Sequence, residues 1–182
     1  RIDDGKLIIV GETYELTPIT AMSFSEDKRL TYLRRDLNFN PTKVTEESPN
    51  ILSLSGWNQI NETIPGERFV LRSYYRPTPG IFISECKNTD IENVTVHYAE
   101  GMGLLAQMSE NINLNGFNVS LKGESDPRYF TTQADATHFS ACKGVIISKN
   151  GLYENMADDA INVHGTYLKL IKRVDDYTIQ AR

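Results

Sequence analysis

A turn-forming residue recurs at Asn88, Asn111 and Gly144, each time two positions after a small residue (Cys86, Ser109, Cys142) and ahead of an aliphatic run. Superposing residues 86–96, 109–119 and 142–152 puts Ile91, Leu114 and Ile147 in one column and Val96, Val119 and Leu152 in another. The first two segments are offset by 23 residues, the second and third by 33. A repeat of this length restricts the chain to stacked units, because one short unit cannot bury its own apolar face and must lay it on a neighbour. Asn and Gly at the corners tolerate left-handed backbone, and the runs between them have strand length. The expected fold is therefore all-β, a parallel β-helix in which each repeat is one coil. A β-sandwich with accidental similarity is the competing architecture; a leucine-rich repeat would need a Leu-x-x-Leu-x-Leu pattern, which is absent. The longer offset leaves room for a loop, for which residues 123–128 are the candidate.

Residues 1–72 do not share the repeat, so the division expected is an irregular β region over 1–72 and coils over 73–182. Residues 6–10 and 68–72 read as strands from their β-branched and aromatic content. Asn40-Pro41, Ser48-Pro49-Asn50, Ser55-Gly56 and Pro65-Gly66 read as turns. Residues 27–37 are the one stretch with any helical character. Cys86 and Cys142 fall two rungs apart, roughly 9–10 Å at the spacing of adjacent strands. A disulfide needs Cα atoms within about 7 Å, so two free and buried thiols are expected. Three Asn-x-Ser/Thr triplets, at Asn61, Asn93 and Asn118, are treated as chance matches in an Asn-rich chain.

The net charge of −5 argues against nucleic acid or an anionic membrane as the main partner. No apolar run approaches the roughly 20 residues of a bilayer span. The chain opens on Arg1-Ile2 without an initiator Met or a signal sequence, so it is expected to be an internal piece of a longer protein whose final coils it lacks. The sequence is silent on oligomeric state.

Chemistry is concentrated in two places. Asp158 and Asp159 precede a short apolar strand ending in His164-Gly165, and Asp135 lies 23 residues before Asp158. If that spacing is one coil, the three carboxylates meet on one face with backbones about 4.8 Å apart. Their side chains could then reach the roughly 6.5–9.5 Å over which one carboxyl protonates a glycosidic oxygen while another activates water. Carbohydrate hydrolysis is the leading expectation, with Asp135, Asp158 and Asp159 as catalytic residues. Strict alternation would turn Asp159 inward with Ile161 and Val163, so a bend before Ala160 is required. His164, His138, His97 and Asn162 are the candidate substrate-binding residues, and Trp57 and the run Tyr74-Tyr75-Arg76 are possible stacking surfaces or core. No metal or cofactor is expected: EF-hand, RTX, Walker, His-Glu-x-x-His and paired Cys-x-x-Cys patterns are all missing.

Between residues 66 and 170 the chain resembles glycoside hydrolase family 110. The likeness is carried by Arg76-Pro77-Thr78-Pro79-Gly80, Cys86-Lys87-Asn88, Glu92-Asn93-Val94-Thr95-Val96-His97, Gly101-Met102-Gly103-Leu104-Leu105-Ala106-Gln107, Ala134-Asp135-Ala136-Thr137-His138-Phe139 and the run from Glu154 to Gly165. The resemblance implies a right-handed parallel β-helix with a small inserted β-barrel-like domain, to which the first 70 or so residues would belong. It further implies inverting removal of terminal α-1,3-linked galactose, as from the blood-group B antigen, with Asp135, Asp158 and Asp159 as the catalytic carboxylates. The division of acid and base among them stays open, with a lean towards Asp135 as acid. A secreted or periplasmic location suits such an enzyme. A galacturonan hydrolase or Ca²⁺-dependent lyase on the same scaffold, and a non-catalytic carbohydrate-binding solenoid, remain the alternatives. An Arg-x-Lys signature, which the first of these would carry downstream, is not present around Leu170-Ile171-Lys172-Arg173.

Overall fold

A computed structural model of the chain describes residues 2–3, 6–8, 20–25, 37–72 and 76–182. The helical expectation over 27–37 falls almost wholly outside these residues, as do Ile9, Val10, Tyr74 and Tyr75; Leu37 itself lies in a strand. The first part contains β1 (Ile2–Asp3), β2 (Lys6–Ile8), β3 (Thr20–Phe24), β4 (Leu37–Asn38), β5 (Lys43–Ser48), β6 (Ile51–Ser55) and β7 (Arg68–Arg72). They form two antiparallel sheets, ordered β1-β2-β6-β5 and β4-β3-β7. Each sheet ends in strands without a second partner, so the expected barrel-like closure is not seen among the described residues. Asn50, at φ 65°, turns β5 into β6, as its Pro-Asn context suggests. Trp57 is core: it is 3% exposed, donates its indole N–H to the Asn38 carbonyl at 2.6 Å, and meets Phe39 and Phe69 edge-on.

From Ile81 onwards the strands change to parallel pairing. Strands β8 (Ile81–Ser84), β9 (Lys87–Glu92) and β10 (Thr95–Val96) follow one another round a first circuit. A second circuit comprises β11 (Leu104–Gln107), β12 (Glu110–Asn115) and β13 (Asn118–Val119). Beyond it lie β14 (Thr137–Ser140), β15 (Lys143–Lys149) and β16 (Ile161–His164), and then an antiparallel hairpin of β17 (Leu170–Arg173) and β18 (Ile179–Ala181). Equivalent strands stack as sheets β8-β11-β14-β16, β9-β12-β15 and β10-β13. Ile81 faces Leu104 and Leu104 faces Thr137, which are the 23- and 33-residue offsets of the sequence. The corners are left-handed in register: Glu85, Met108 and Ala141; Asn88, Asn111 and Gly144; Asn93, Gly116 and Asn150. Amides join the rungs, with Asn111 donating to Asn88 at 3.0 Å, Asn113 to Asp90 at 2.8 Å and Asn150 to Asn115 at 2.9 Å. Leu104, Ala106, Leu114, Phe117, Val119 and Phe139 fill the interior between the sheets.

One irregularity changes the expected columns. Lys143 faces Glu110 but Ile146 faces Ile112, so Gly144 and Val145 together oppose Asn111. Gly144, at φ 73°, forms the left-handed corner, and the Val145 N–H is taken up by the Asn111 side chain at 3.1 Å. Every later residue is displaced by one. Ile146 rather than Ile147 packs on the core, and Ile147 is 42% exposed. Tyr153 rather than Leu152 completes the Val96–Val119 column, and Leu152 is 51% exposed. The thiols are free, as expected, but Cys86 is exposed and Cys142 half-buried, correcting the expectation of burial. Ser109 stands between them in the column, its hydroxyl accepting the Cys86 N–H at 3.1 Å.

The loop expected at 123–128 is held by a buried Asp126. Its carboxylate takes a two-point contact from the Arg128 guanidinium (3.0 and 2.9 Å) and the backbone N–H groups of Lys122 and Arg128. The Arg128 contact, outweighing burial, holds the Asp126 carboxyl well below the usual carboxylate range. A depressed folded-state value stabilises the fold at all pH above the ordinary carboxylate range near pH 4, and that stabilisation declines only as the pH falls further, into strong acid. Asp126→Asn is expected to cost about 2–3 kcal/mol. Hydrogen exchange over 120–130 would then be fast at neutral pH in the variant, whereas the parent stays protected until strongly acid conditions.

Candidate active site

Asp135 sits in the bend before β14, and Asp158 and Asp159 lie in the bends before β16. Because the displaced register makes that circuit 24 residues long, Thr137 facing Ile161, the rung-mate of Asp135 is Asp159 and not Asp158. The backbone confirms the stacking: the Ala136 N–H donates to the Asp159 carbonyl at 2.8 Å, and the Gly103 N–H to the Asp135 carbonyl at 2.9 Å. The bend required before Ala160 is present, and it leaves Asp158 and Asp159 exposed while Asp135 is 2% exposed beneath them. One carboxylate oxygen from each of the three lies within 4.8 Å of the others, tighter than the separation anticipated for two groups flanking a sugar.

Each carboxylate has its own partners. Asp135 accepts the Asp159 N–H on Oδ1 at 3.2 Å, and His138 Nδ1 meets its Oδ2 in a short contact. Asp158 pairs with Arg76 at 2.9 Å, and Asp159 accepts the Asn162 side-chain amide at 3.3 Å. Asn162 is the rung-mate of His138 on the outward side of the sheet. His138 and His164 meet edge-on through their Nε2 atoms at 2.8 Å, the His164 Nδ1–H donates to the Gly165 carbonyl at 2.6 Å, and Tyr167 stacks on His164. Of the anticipated residues, His97 stands apart, its ring N–H donating to the Ser120 carbonyl at 2.7 Å.

The first part of the chain reaches this site. Buried Met22 and Phe24 of β3 pack on Ala157, and the buried Arg72 at the end of β7 donates to the Ala157 carbonyl. Arg76 follows four residues later. The roles of Arg72, Arg76 and Tyr167 were not foreseen. Two arginines four residues apart, Arg72 and Arg76, in a chain with a surplus of acids, are the signal that could have pointed to partners for the Asp pair.

Comparison with curated proteins gives consistent relatives. The chain is 56% identical over 183 residues to a protein named Alpha-1,3-galactosidase B from Parabacteroides distasonis, matching 100% of this chain and 30% of that protein. A protein of the same name from Phocaeicola vulgatus is 56% identical over 173 residues, 94% of this chain and 28% of the relative. An Alpha-1,3-galactosidase A from Shewanella woodyi is 33% identical over 188 residues, 98% of this chain and 30% of the relative. The chain thus spans about 30% of the length of the relatives it matches. No protein-family profile matches it. No described helix is long and apolar enough to cross a membrane.

Proposed function

Over the segment it spans, the chain belongs to the alpha-1,3-galactosidase family, and from that premise we propose that the full-length protein removes terminal α-1,3-linked galactose from glycans such as the blood-group B antigen, with inversion at the anomeric carbon. The observation carrying this reading is the convergence of three carboxylates, two of them exposed, at one edge of the parallel sheet. Asp135 lies buried with both oxygens already hydrogen-bonded within the chain, so the exposed pair meets the sugar and Asp135 acts through it. One of Asp158 and Asp159 gives its proton to the glycosidic oxygen as the C1–O bond breaks towards that oxygen. The other takes a proton from the water whose oxygen bonds to C1. One water is consumed, and galactose and the shortened glycan leave with the new hydroxyls. Asn162 is set at the rim to orient a sugar hydroxyl.

The stacked parallel strands and left-handed corners support a right-handed parallel β-helix over 73–182, with the antiparallel sheets of 1–72 as a separate inserted unit bracing the Asp pair. A glycan substrate fits a secreted or periplasmic location.

The 4.8 Å approach of the carboxylates favours retention as a second reading, because a nucleophilic carboxylate sits closer to its acid than a water-activating one does. Proton NMR of an α-1,3-galactosyl oligosaccharide digest separates the two. Initial release of β-galactose is expected; initial α-galactose would establish retention, and an intact oligosaccharide would sink the galactosidase reading.

A further inference from the structure

Four ring nitrogens of His138 and His164 face four acceptor or donor positions, and all are taken by protein atoms. The Gly165 carbonyl can only accept, so His164 Nδ1 carries a hydrogen. At 2.8 Å the two Nε2 atoms need one hydrogen between them. The contact between His138 Nδ1 and Asp135 Oδ2 needs another. Three links in series take three hydrogens. Two neutral imidazoles supply one each and a carboxylate none, so the intact series holds one surplus proton. Whether that proton rests on His164, on His138 or on Asp135, the count is the same, and the three groups together are neutral.

Resting on the hydrolase reading above, we propose that His138 and His164 are positioning residues, a single proton-holding unit that clamps Asp135, and that loss of its surplus proton sets the alkaline limit of turnover. Without that proton two bare Nε2 lone pairs face each other at hydrogen-bond distance and repel, and the rings part. The clamp on Asp135 Oδ2 is lost either way: the parting His138 ring carries its Nδ1–H away, or His138 shifts its hydrogen to Nε2 to keep the rings together and turns a bare Nδ1 to the carboxylate. Asp135 Oδ1 holds the Asp159 N–H, so the disturbance passes directly to the exposed pair. The charged and titratable groups around the unit are Asp135 itself, Asp158 with its Arg76 partner, Asp159, and Tyr167 stacked on His164. A ring nitrogen of either histidine could reach a sugar hydroxyl only by breaking a link of the series, which separates this role from substrate binding.

The test is His164→Gln in the full-length protein, followed through kcat and KM against pH with an α-1,3-galactosyl oligosaccharide. The glutamine amide can donate to His138 Nε2, which leaves a neutral His138 free to direct Nδ1–H at Asp135. Every link to Asp135 is then made without a surplus proton. The alkaline limb is expected to move up by about one pH unit or more, with KM within about twofold. His138→Gln removes the donor to Asp135 and is expected to lower kcat about 10²-fold at all pH with little change in KM. Nitrogen NMR of histidine-labelled protein supplies a readout that needs neither activity nor a variant's correct folding: the two rings should lose one proton in a single shared step. An unmoved alkaline limb in a folded His164→Gln variant, or rings that titrate independently, would overturn the proposal. A parent protein that cleaves no galactoside yet shows the shared step would instead overturn the hydrolase reading alone.

Discussion

Asp158→Asn and Asp159→Asn, made singly in the full-length protein, each lower kcat on an α-1,3-galactosyl oligosaccharide by about 10³-fold, within the range that one acid or base contributes. The amide keeps the shape of the side chain and can neither give nor take the proton. KM should change by only a few-fold, because the loss falls on the transition state. The two variants then part company on p-nitrophenyl-α-galactoside. Its leaving group departs without protonation, so the variant lacking the acid recovers most of its rate on that substrate. The variant lacking the base stays slow but is rescued by azide, which attacks without needing deprotonation. Retention of more than about a tenth of parental activity on the oligosaccharide by either variant would remove that residue from the chemistry. Arg76 tethers Asp158 and Asn162 tethers Asp159, so the two substitutions disturb different contacts, and circular dichroism would separate a misfolded variant from an inactive one.

Gly103→Ala is expected to cost about 3 kcal/mol of stability, a large loss for one methyl group. The added carbon would lie 2.6 Å from the Ala136 carbonyl oxygen and 2.7 Å from Val119 Cγ2. The first is backbone, fixed by the Leu104 N–H at 2.9 Å, so no flexible side chain can swing aside. Relief must come from separating the two rungs, and the rung that moves carries Asp135, whose carbonyl takes the Gly103 N–H. Activity and unfolding midpoint should therefore fall together. Gly165→Ala is the matched control, since nothing lies within 4 Å of its added carbon, and its stability should stay within about 0.5 kcal/mol of the parent. Equal midpoints for the two variants would show that the close approach at Gly103 relaxes freely.

Much of the coil region is legible because its chemistry is local and repeated. Asn88 and Asn111 announce left-handed corners, Leu114 and Val119 announce the inward columns, and the polar run Gly123-Glu124-Ser125-Asp126-Pro127 announces the loop. The column assignments for Ile147 and Leu152 fail for a physical reason. Val145, Ile146 and Ile147 are all aliphatic, so alternation cannot say which of them is the extra residue. In the first part only β2 and β7 are legible as strands; β3 to β6 and the pairing are not, since β3 lies between β4 and β7 through contacts far apart in sequence. The same distance hides Arg72 and Arg76, which act 82–85 residues along the chain from where they stand. Burial decides the rest of the site. Three Asp residues of one type become one sheltered carboxylate and two accessible ones only when the bends are in place.

The two-against-one step at Gly144-Val145 makes the identity of the Asp135 neighbour a matter of counting. Any substitution there that keeps the left-handed corner keeps Asp159 in register, whatever side chain it brings. Removing the extra residue together with the bulge would leave Asp159 opposite Asp135, whereas adding one residue without a second bulge would bring Asp158 opposite Asp135 and swap the in-and-out sense of Ile161 to His164. Related sequences can therefore be sorted by the number of residues between the lone aspartate and the pair, where one inserted residue far from the sugar, taken up without a further bulge, would exchange the two carboxylates without changing either.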